Sequence, residues 1–327
     1  MTTGRERPVL VALRPLGLGD LLTAVPALRA LADGFPRHRR LLAAPRALEP
    51  LVALTGAVDG VVDTAPLRPL SPELRRADVA VDLHGRGPAS HRVLMASAPR
   101  RLVAFANPRV PGTEAFPGWR DHEHEVVRWC RLLTESGIPA DPTRLDLPVP
   151  PAPAPPGTAG ATVVHPGAAF PARCWPADRW AAVAAAEAAR GRRVVVTGGP
   201  KETALARRVA DGAGLDPSEA VLAGTTGLAE LASVVASAGR VVCGDTGMAH
   251  LATALRTPSV VLFGPVPPSR WGPPTDRPWH RSLWAGRRGD PHGSSPDRGL
   301  LAIGVDDVVD ALGDLPAGPR LAVTAGL

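Results

Sequence analysis

The stretch Val241–Gly264, VVCGDTGMAHLATALRTPSVVLFG, decides the fold class. Its two ends are short apolar runs suited to strands buried on both faces. Between them Asp245, Thr246, Gly247 and His250 fall at a strand-to-helix corner. That corner is where open α/β sheets bind ligands. The N–H groups of a helix start lack partners within the helix and favour phosphate. The stretch therefore predicts a parallel sheet with a corner fit for a phosphorylated ligand.

The same alternation extends outward in both directions. Pro8–Arg14 (PVLVALR) reads as a buried strand, and Pro15–Asp20 (PLGLGD) as a glycine turn. Leu21–Ala32 follows with helical spacing. Further strands are expected at Leu41–Ala44, Gly60–Asp63, Asp78–Leu83 and Arg101–Phe105, and a helix at Glu123–Ser136 ending at Gly137. Pro148–Gly157 (PVPPAPAPPG) cannot continue a helix or a central strand. It reads as a semi-rigid linker, which divides the chain into domains 1–150 and 158–327. Beyond it, strands are expected at Thr162–His165 and Arg193–Thr197, and helices at Pro176–Arg190, Glu202–Ala210 and Leu228–Ser237. Residues 267–300 read as loop and Val305–Leu312 as a terminal helix. Strands alternating with helices in both halves predict two doubly wound α/β domains.

Composition narrows the class. The 327 residues are 45% hydrophobic and 21% charged, a globular balance with length enough for two cores. No apolar run approaches the ~18–20 residues that span a bilayer, and no apolar leader follows Met1–Arg7. A cytoplasmic protein is expected, with a peripheral place at the membrane face open to it. The net charge is +6, carried almost wholly by arginine. No nucleic-acid-binding pattern accompanies it, so no nucleic-acid partner is expected. Eight arginines against three acids in residues 68–109 leave open a basic face for an anionic partner. Cys130, Cys174 and Cys243 are scattered, which suggests neither a zinc site nor a disulfide framework.

Several motifs carry chemistry, each beside a plainer reading. Gly17–Asp20 (GLGD) starts like a dinucleotide fingerprint but has Leu22 where the third glycine would stand, which argues against NAD. Asp20 is either a cap of the following helix or a carboxylate placed to act as general base. His165–Pro176 (HPGAAFPARCWP) is a strand end and glycine turn in which Arg173 is a cation for a diphosphate. Trp175 and His165 read as packing residues. Glu202, in GGPKE, is either a ribose partner or a first-turn acid. Asp121–Glu125 (DHEHE) lacks metalloprotease spacing and reads as a solvated charged turn. No DxD triplet occurs, which speaks against a metal-bridged diphosphate.

Taken in order, these motifs resemble glycosyltransferase family 9, the ADP-heptose:lipopolysaccharide heptosyltransferases. The pieces are LGLGDLLTAVPALRAL (Leu16–Leu31), DLHG (Asp82–Gly85), HPGA with RCWP (His165–Ala168, Arg173–Pro176), and GDTGMAHLATAL followed by LFGP (Gly244–Leu255, Leu262–Pro265). The resemblance implies a GT-B fold, two Rossmann-like domains facing each other across a cleft. It implies an acceptor-binding N-terminal domain, with Asp20 as catalytic base and Gly19 and His84 on the acceptor side. It implies a C-terminal domain that holds the nucleotide-sugar through Gly167, Glu202, Thr226, Asp245, Thr246, Gly247 and His250. Arg173, where the family commonly has lysine, would face the diphosphate.

The implied activity is inverting transfer of a heptose or similar sugar from an ADP-sugar to a cell-envelope glycan or glycolipid. No cofactor, no metal and a monomeric enzyme are expected. The alternatives are a GT-B transferase using a GDP- or UDP-sugar, and a non-catalytic nucleotide-sugar-binding protein of the same fold. The donor sugar, the acceptor and the role of residues 275–300 are not legible in the sequence.

Overall fold

The computed structural model describes residues 7–316, and the chain divides into two compact units, Met1–Leu145 and Asp146–Leu327. Unit 1 runs β1 (Val9–Leu13), α1 (Leu18–Gly34), β2 (Arg39–Ala44), α2 (Glu49–Thr55), β3 (Gly60–Asp63), β4 (Val79–Asp82), α3 (Ala89–Ala96), β5 (Arg101–Val103) and α4 (Glu125–Glu135). Its strands form one parallel sheet in the order β3-β2-β1-β4-β5. Val11, Leu13, Leu41 and Ala43 of the central strands pack with Leu74, Ala77 and Leu94. A parallel sheet needs cover on both faces, which is why β1 is apolar throughout and β2 from Leu41 onward.

Unit 2 runs β6 (Thr162–His165), α5 (Ala177–Ala189), β7 (Val194–Val196), α6 (Thr203–Gly212), α7 (Pro217–Ala220), α8 (Leu228–Ser237), β8 (Arg240–Gly244), α9 (Gly247–Ala254), β9 (Ser259–Phe263), α10 (Pro268–Trp271), β10 (His280–Trp284), α11 (Arg298–Leu301) and α12 (Val305–Gly313). Its sheet is parallel in the order β10-β9-β8-β6-β7. A single bridge, Val196 to Val221, stands beyond β7 where a third strand would lie. Counting it, the order is that of the doubly wound dinucleotide-binding fold, 3-2-1-4-5-6. Unit 1 has the same winding without the last strand.

Residues 267–300 are not loop throughout, as the sequence reading had it. β10 pairs with β9 over its whole length, from His280 beside Ser259 to Trp284 beside Phe263. An edge strand has one covered side, so HRSLW carries polar residues that mask it. The Pro-rich segment lies on unit 2, where Ser233 Oγ of α8 donates to the Ala152 carbonyl at 2.6 Å. Trp175 is buried edge-on against Trp180 and donates to the Ile303 carbonyl at 3.2 Å, pinning the approach to α12. Among the described residues, no helix is long and apolar enough to cross a membrane.

Candidate active site

Two clusters of polar residues gather at the carboxyl ends of strands, one in each unit. Each sits where the strand order reverses. In unit 1 the reversal falls between β1 and β4, in unit 2 between β6 and β8. Neighbouring loops run in opposite directions there and leave room for a ligand.

In unit 1, Asp20 occupies the third position of α1 and is not its N-cap; Gly17 holds that place. The Asp20 carboxylate reaches back to accept from the Gly17 N–H at 3.2 Å, and its other oxygen accepts from Arg14 Nη2 at 3.3 Å. Gly19 lies beside it in the same first turn, half-buried. His84 follows β4, with its backbone N–H donating to Asp82 Oδ1 at 2.9 Å. Burial pushes the His84 imidazole below its ordinary value; Asp82 and Asp20 oppose this and Arg14 adds to it. A neutral ring therefore stands near the Asp20 carboxylate.

Asp82 is fully buried, and its second oxygen lies 2.8 Å from His91 Nδ1. His91 Nε2 lies 2.7 Å from the Phe105 carbonyl, which can only accept. Both ring nitrogens thus face acceptors, and the pair is best satisfied as carboxylate and imidazolium. Burial alone would lower His91, but the bonds to Asp82 and Phe105 outweigh it and the titration is raised.

The turn Asp121–Glu125 is not wholly solvated. Glu125 is buried and takes hydrogen bonds from Arg14, Arg128 and Trp129. Glu123 accepts from Arg131 Nε at 2.7 Å. His124 caps α4, its Nδ1 accepting from the Val126 N–H at 3.3 Å.

In unit 2, Thr246 caps α9, its Oγ1 accepting from the Met248 N–H at 3.3 Å, and Gly247 is the first helical residue. Asp245 is buried at the end of β8, and burial pushes its carboxyl up to about 6 against the pull of Arg173. Arg173 Nη1 donates to the Asp245 carbonyl at 3.4 Å, while its buried Nε has no partner among the described residues. A Cβ on Gly244 would come within 3.3 Å of the Arg173 carbonyl, so the Arg173 loop lies directly on this turn. His250 sits one turn into α9 with its ring edge-on to Trp271 at 5.7 Å.

Glu202 caps its own turn by accepting from the Gly199 N–H at 2.6 Å, and its carboxylate fills the space over Gly167. Thr226 lies on the loop after the Val221 bridge and donates to the Leu222 carbonyl at 3.4 Å. That loop joins the Glu202 loop through Gly224 N–H to the Gly198 carbonyl, at 3.0 Å. Residues 285–297 close over the loop after β6. The Ala172 N–H donates to Gly293, the Asp297 N–H to Ala172, and Phe170 meets His292 edge-on at 4.6 Å.

The structure thus brings Arg173 against the Asp245–Gly247 turn and Glu202 against Gly167, while Thr226 stands on the adjoining loop. Sequence reasoning missed Arg14, Glu125 and Trp271, whose partners are distant in the chain. Among the described residues, no group of three or more His, Cys, Asp or Glu is arranged to hold a metal ion. Burial raises Cys130 to about 12 and also raises Cys243, so these thiols are inert at neutral pH.

The family model for glycosyltransferase family 9 (heptosyltransferase) matches residues 119–288, just over half of the chain. That span contains Arg173, Glu202 and Asp245–His250, and β1 and Asp20 precede it. Among solved structures, the chain is similar to ADP-heptose LPS heptosyltransferase II of E. coli. There the TM-score is 0.73 at 21% identity, covering 94% of this chain and 98% of that one. It is similar to a family 9 glycosyltransferase from Veillonella parvula at TM-score 0.76 and 18% identity, covering 96% and 99%. It is also similar to the E. coli heptosyltransferase WaaC with ADP, at TM-score 0.70 and 19% identity over 94% and 99%. At such identities the likeness is one of fold. No curated protein sequence matches. The chain belongs to glycosyltransferase family 9, the heptosyltransferase family, and is a glycosyltransferase of the GT-B fold.

Proposed function

We propose that this glycosyltransferase moves a heptose or similar sugar from an ADP-sugar to a hydroxyl of a cell-envelope glycan or glycolipid, inverting the anomeric centre. The observation that carries the donor side is the turn after β8. There the N–H groups opening α9, capped by Thr246, and the guanidinium of Arg173 with its unused Nε lie at one strand reversal. Helix-start N–H groups and an arginine fork suit a diphosphate. Glu202 would take the ribose hydroxyls. One similar E. coli structure holds ADP and another ADP-2-deoxy-2-fluoro heptose, which favours adenine.

In this reading unit 1 binds the acceptor, with His84 and Gly19 beside the reacting hydroxyl. Asp20 takes the hydroxyl proton as the oxygen attacks the anomeric carbon. The bond from that carbon to the diphosphate breaks, and the charge gathering on the departing ADP is met by Arg173 and the α9 N–H groups. A single displacement of this kind inverts configuration and forms no enzyme-bound sugar.

The test is binding first and turnover second. ADP should raise the thermal midpoint more than GDP or UDP, because a ligand of the native state alone stabilises it. Asp245→Ala should weaken ADP in calorimetry, and release of ADP from ADP-heptose should require an acceptor. A stronger response to UDP or GDP would replace the donor; binding without turnover on any acceptor would favour a binding protein.

A further inference from the structure

We propose that Glu125 is a positioning residue for Asp20, acting through the buried guanidinium of Arg14; this rests on the reading of Asp20 as the base. Arg14 is 1% exposed and stands between two carboxylates of unequal access, with Glu125 side-chain exposure at 7% and Asp20 at 29%. One nitrogen serves both. Arg14 Nη2 lies 3.1 Å from Glu125 Oε1, 3.3 Å from Asp20 Oδ1 and 3.3 Å from Thr23 Oγ1. It carries two hydrogens, so three acceptors share two N–H bonds.

The other two Arg14 nitrogens donate to carbonyls, Nε to Asp20 at 2.9 Å and Nη1 to Leu83. The guanidinium also lies over the Trp129 ring at 4.7 Å. It cannot turn toward one carboxylate without losing these contacts. Glu125 is fixed by others as well: Trp129 Nε1 donates to the same Oε1 at 2.9 Å, and Arg128 Nη1 to Oε2.

A carboxylate that receives a full charge-assisted bond is a poor proton acceptor. Glu125 draws part of Nη2 away and offsets the Arg14 charge. Asp20 is left with a shared 3.3 Å bond and the 3.2 Å bond from Gly17 N–H, enough to aim it without saturating it. The other charged or titratable groups around this arrangement are Asp82 at the end of β4, His84 after it, His91 on α3, and Arg128 behind Glu125.

The test begins on the full-length protein without substrate. The carboxyl carbon signal of Asp20, assigned by its loss in Asp20→Asn, is titrated by NMR in the parent, Glu125→Gln and Arg128→Gln. Glu125→Gln removes the anion beside Arg14, and the midpoint should move to lower pH. Arg128→Gln leaves Arg14 as the one cation paired with Glu125 among the described contacts, and the midpoint should move up. General loosening of the core does not produce opposite displacements, and Arg128→Gln carries the test if Glu125→Gln does not fold. Midpoints that stay in place, or move together, overturn the proposal.

In turnover, Glu125→Gln should lower kcat about tenfold at neutral pH with both KM values unchanged. Asp20→Asn separates the two readings. If it retains turnover, the base is misassigned and the titration still judges the coupling. If it is inactive while Glu125→Gln matches the parent in rate and midpoint, only the role of Glu125 falls.

Discussion

Gly167 lacks a side chain because Glu202 occupies the space one would need: a Cβ there would lie 1.8 Å from Glu202 Oε1. The two residues come from the loops after β6 and β7, and Glu202 also accepts from the Gly199 N–H at 2.6 Å. Gly167→Ala should expel the carboxylate, break that cap and remove the proposed ribose partner together. ADP affinity should fall about tenfold, the scale of a lost hydrogen bond to a charged group. Isothermal titration with ADP checks this, and an unchanged Kd would remove Glu202 from the nucleotide site.

Asp245 gives a pH-dependent prediction. Its folded value, raised to about 6 from 3.8 by burial, means that the native state takes up a proton before the unfolded chain does. The ionised group therefore costs stability at neutral pH, and stability recovers as pH falls from about 6 towards 3.8. Asp245→Asn keeps the shape without the charge. It should raise the thermal midpoint at pH 8, by roughly 1–3 kcal/mol of stability, and give no gain below about pH 4. A variant less stable than the parent at pH 8 would show the charge to be compensated.

The central strands were legible in the sequence because a strand covered on both faces must be apolar, as in VLVAL of β1 and SVVLF of β9. β10 was hidden, since an edge strand carries polar residues on its open side. The Asp245–Gly247 turn was legible because strand, corner and helix are contiguous. Glu125 was not, because its partner Arg14 lies 111 positions away and DHEHE alone looks like a charged turn. Trp271 was missed for the same reason: its value comes from His250, across β9.

Asp20 should be indispensable to turnover and irrelevant to nucleotide binding. General-base assistance is typically worth roughly 10²–10⁴-fold. Asp20→Asn keeps the size of the side chain and still offers an oxygen to the Gly17 N–H. Its kcat should fall within that range, while ADP affinity by calorimetry stays within about twofold, since the proposed nucleotide contacts all belong to unit 2. Equal losses in rate and ADP affinity would assign Asp20 to binding.

The buried Asp82–His91 pair should show itself in stability and not in chemistry. His91 touches Asp82 and the Phe105 carbonyl at 2.8 and 2.7 Å, and Asp82 in turn holds the His84 N–H at 2.9 Å. Removing one partner of a buried pair leaves the other charge uncompensated, a loss of roughly 3–5 kcal/mol. His91→Gln should therefore destabilise the protein severely. The sign of the pH dependence follows from the raised titration of His91. Stability due to its protonation is fully present below the ordinary value of 6.5 and is lost as pH rises through the higher folded value. The gap in thermal midpoint between parent and His91→Gln should thus be widest below about pH 6.5 and narrow as pH rises. Thermal melts of both proteins across that interval read it directly. A gap that widens with pH would mean that His91 is neutral in the native state.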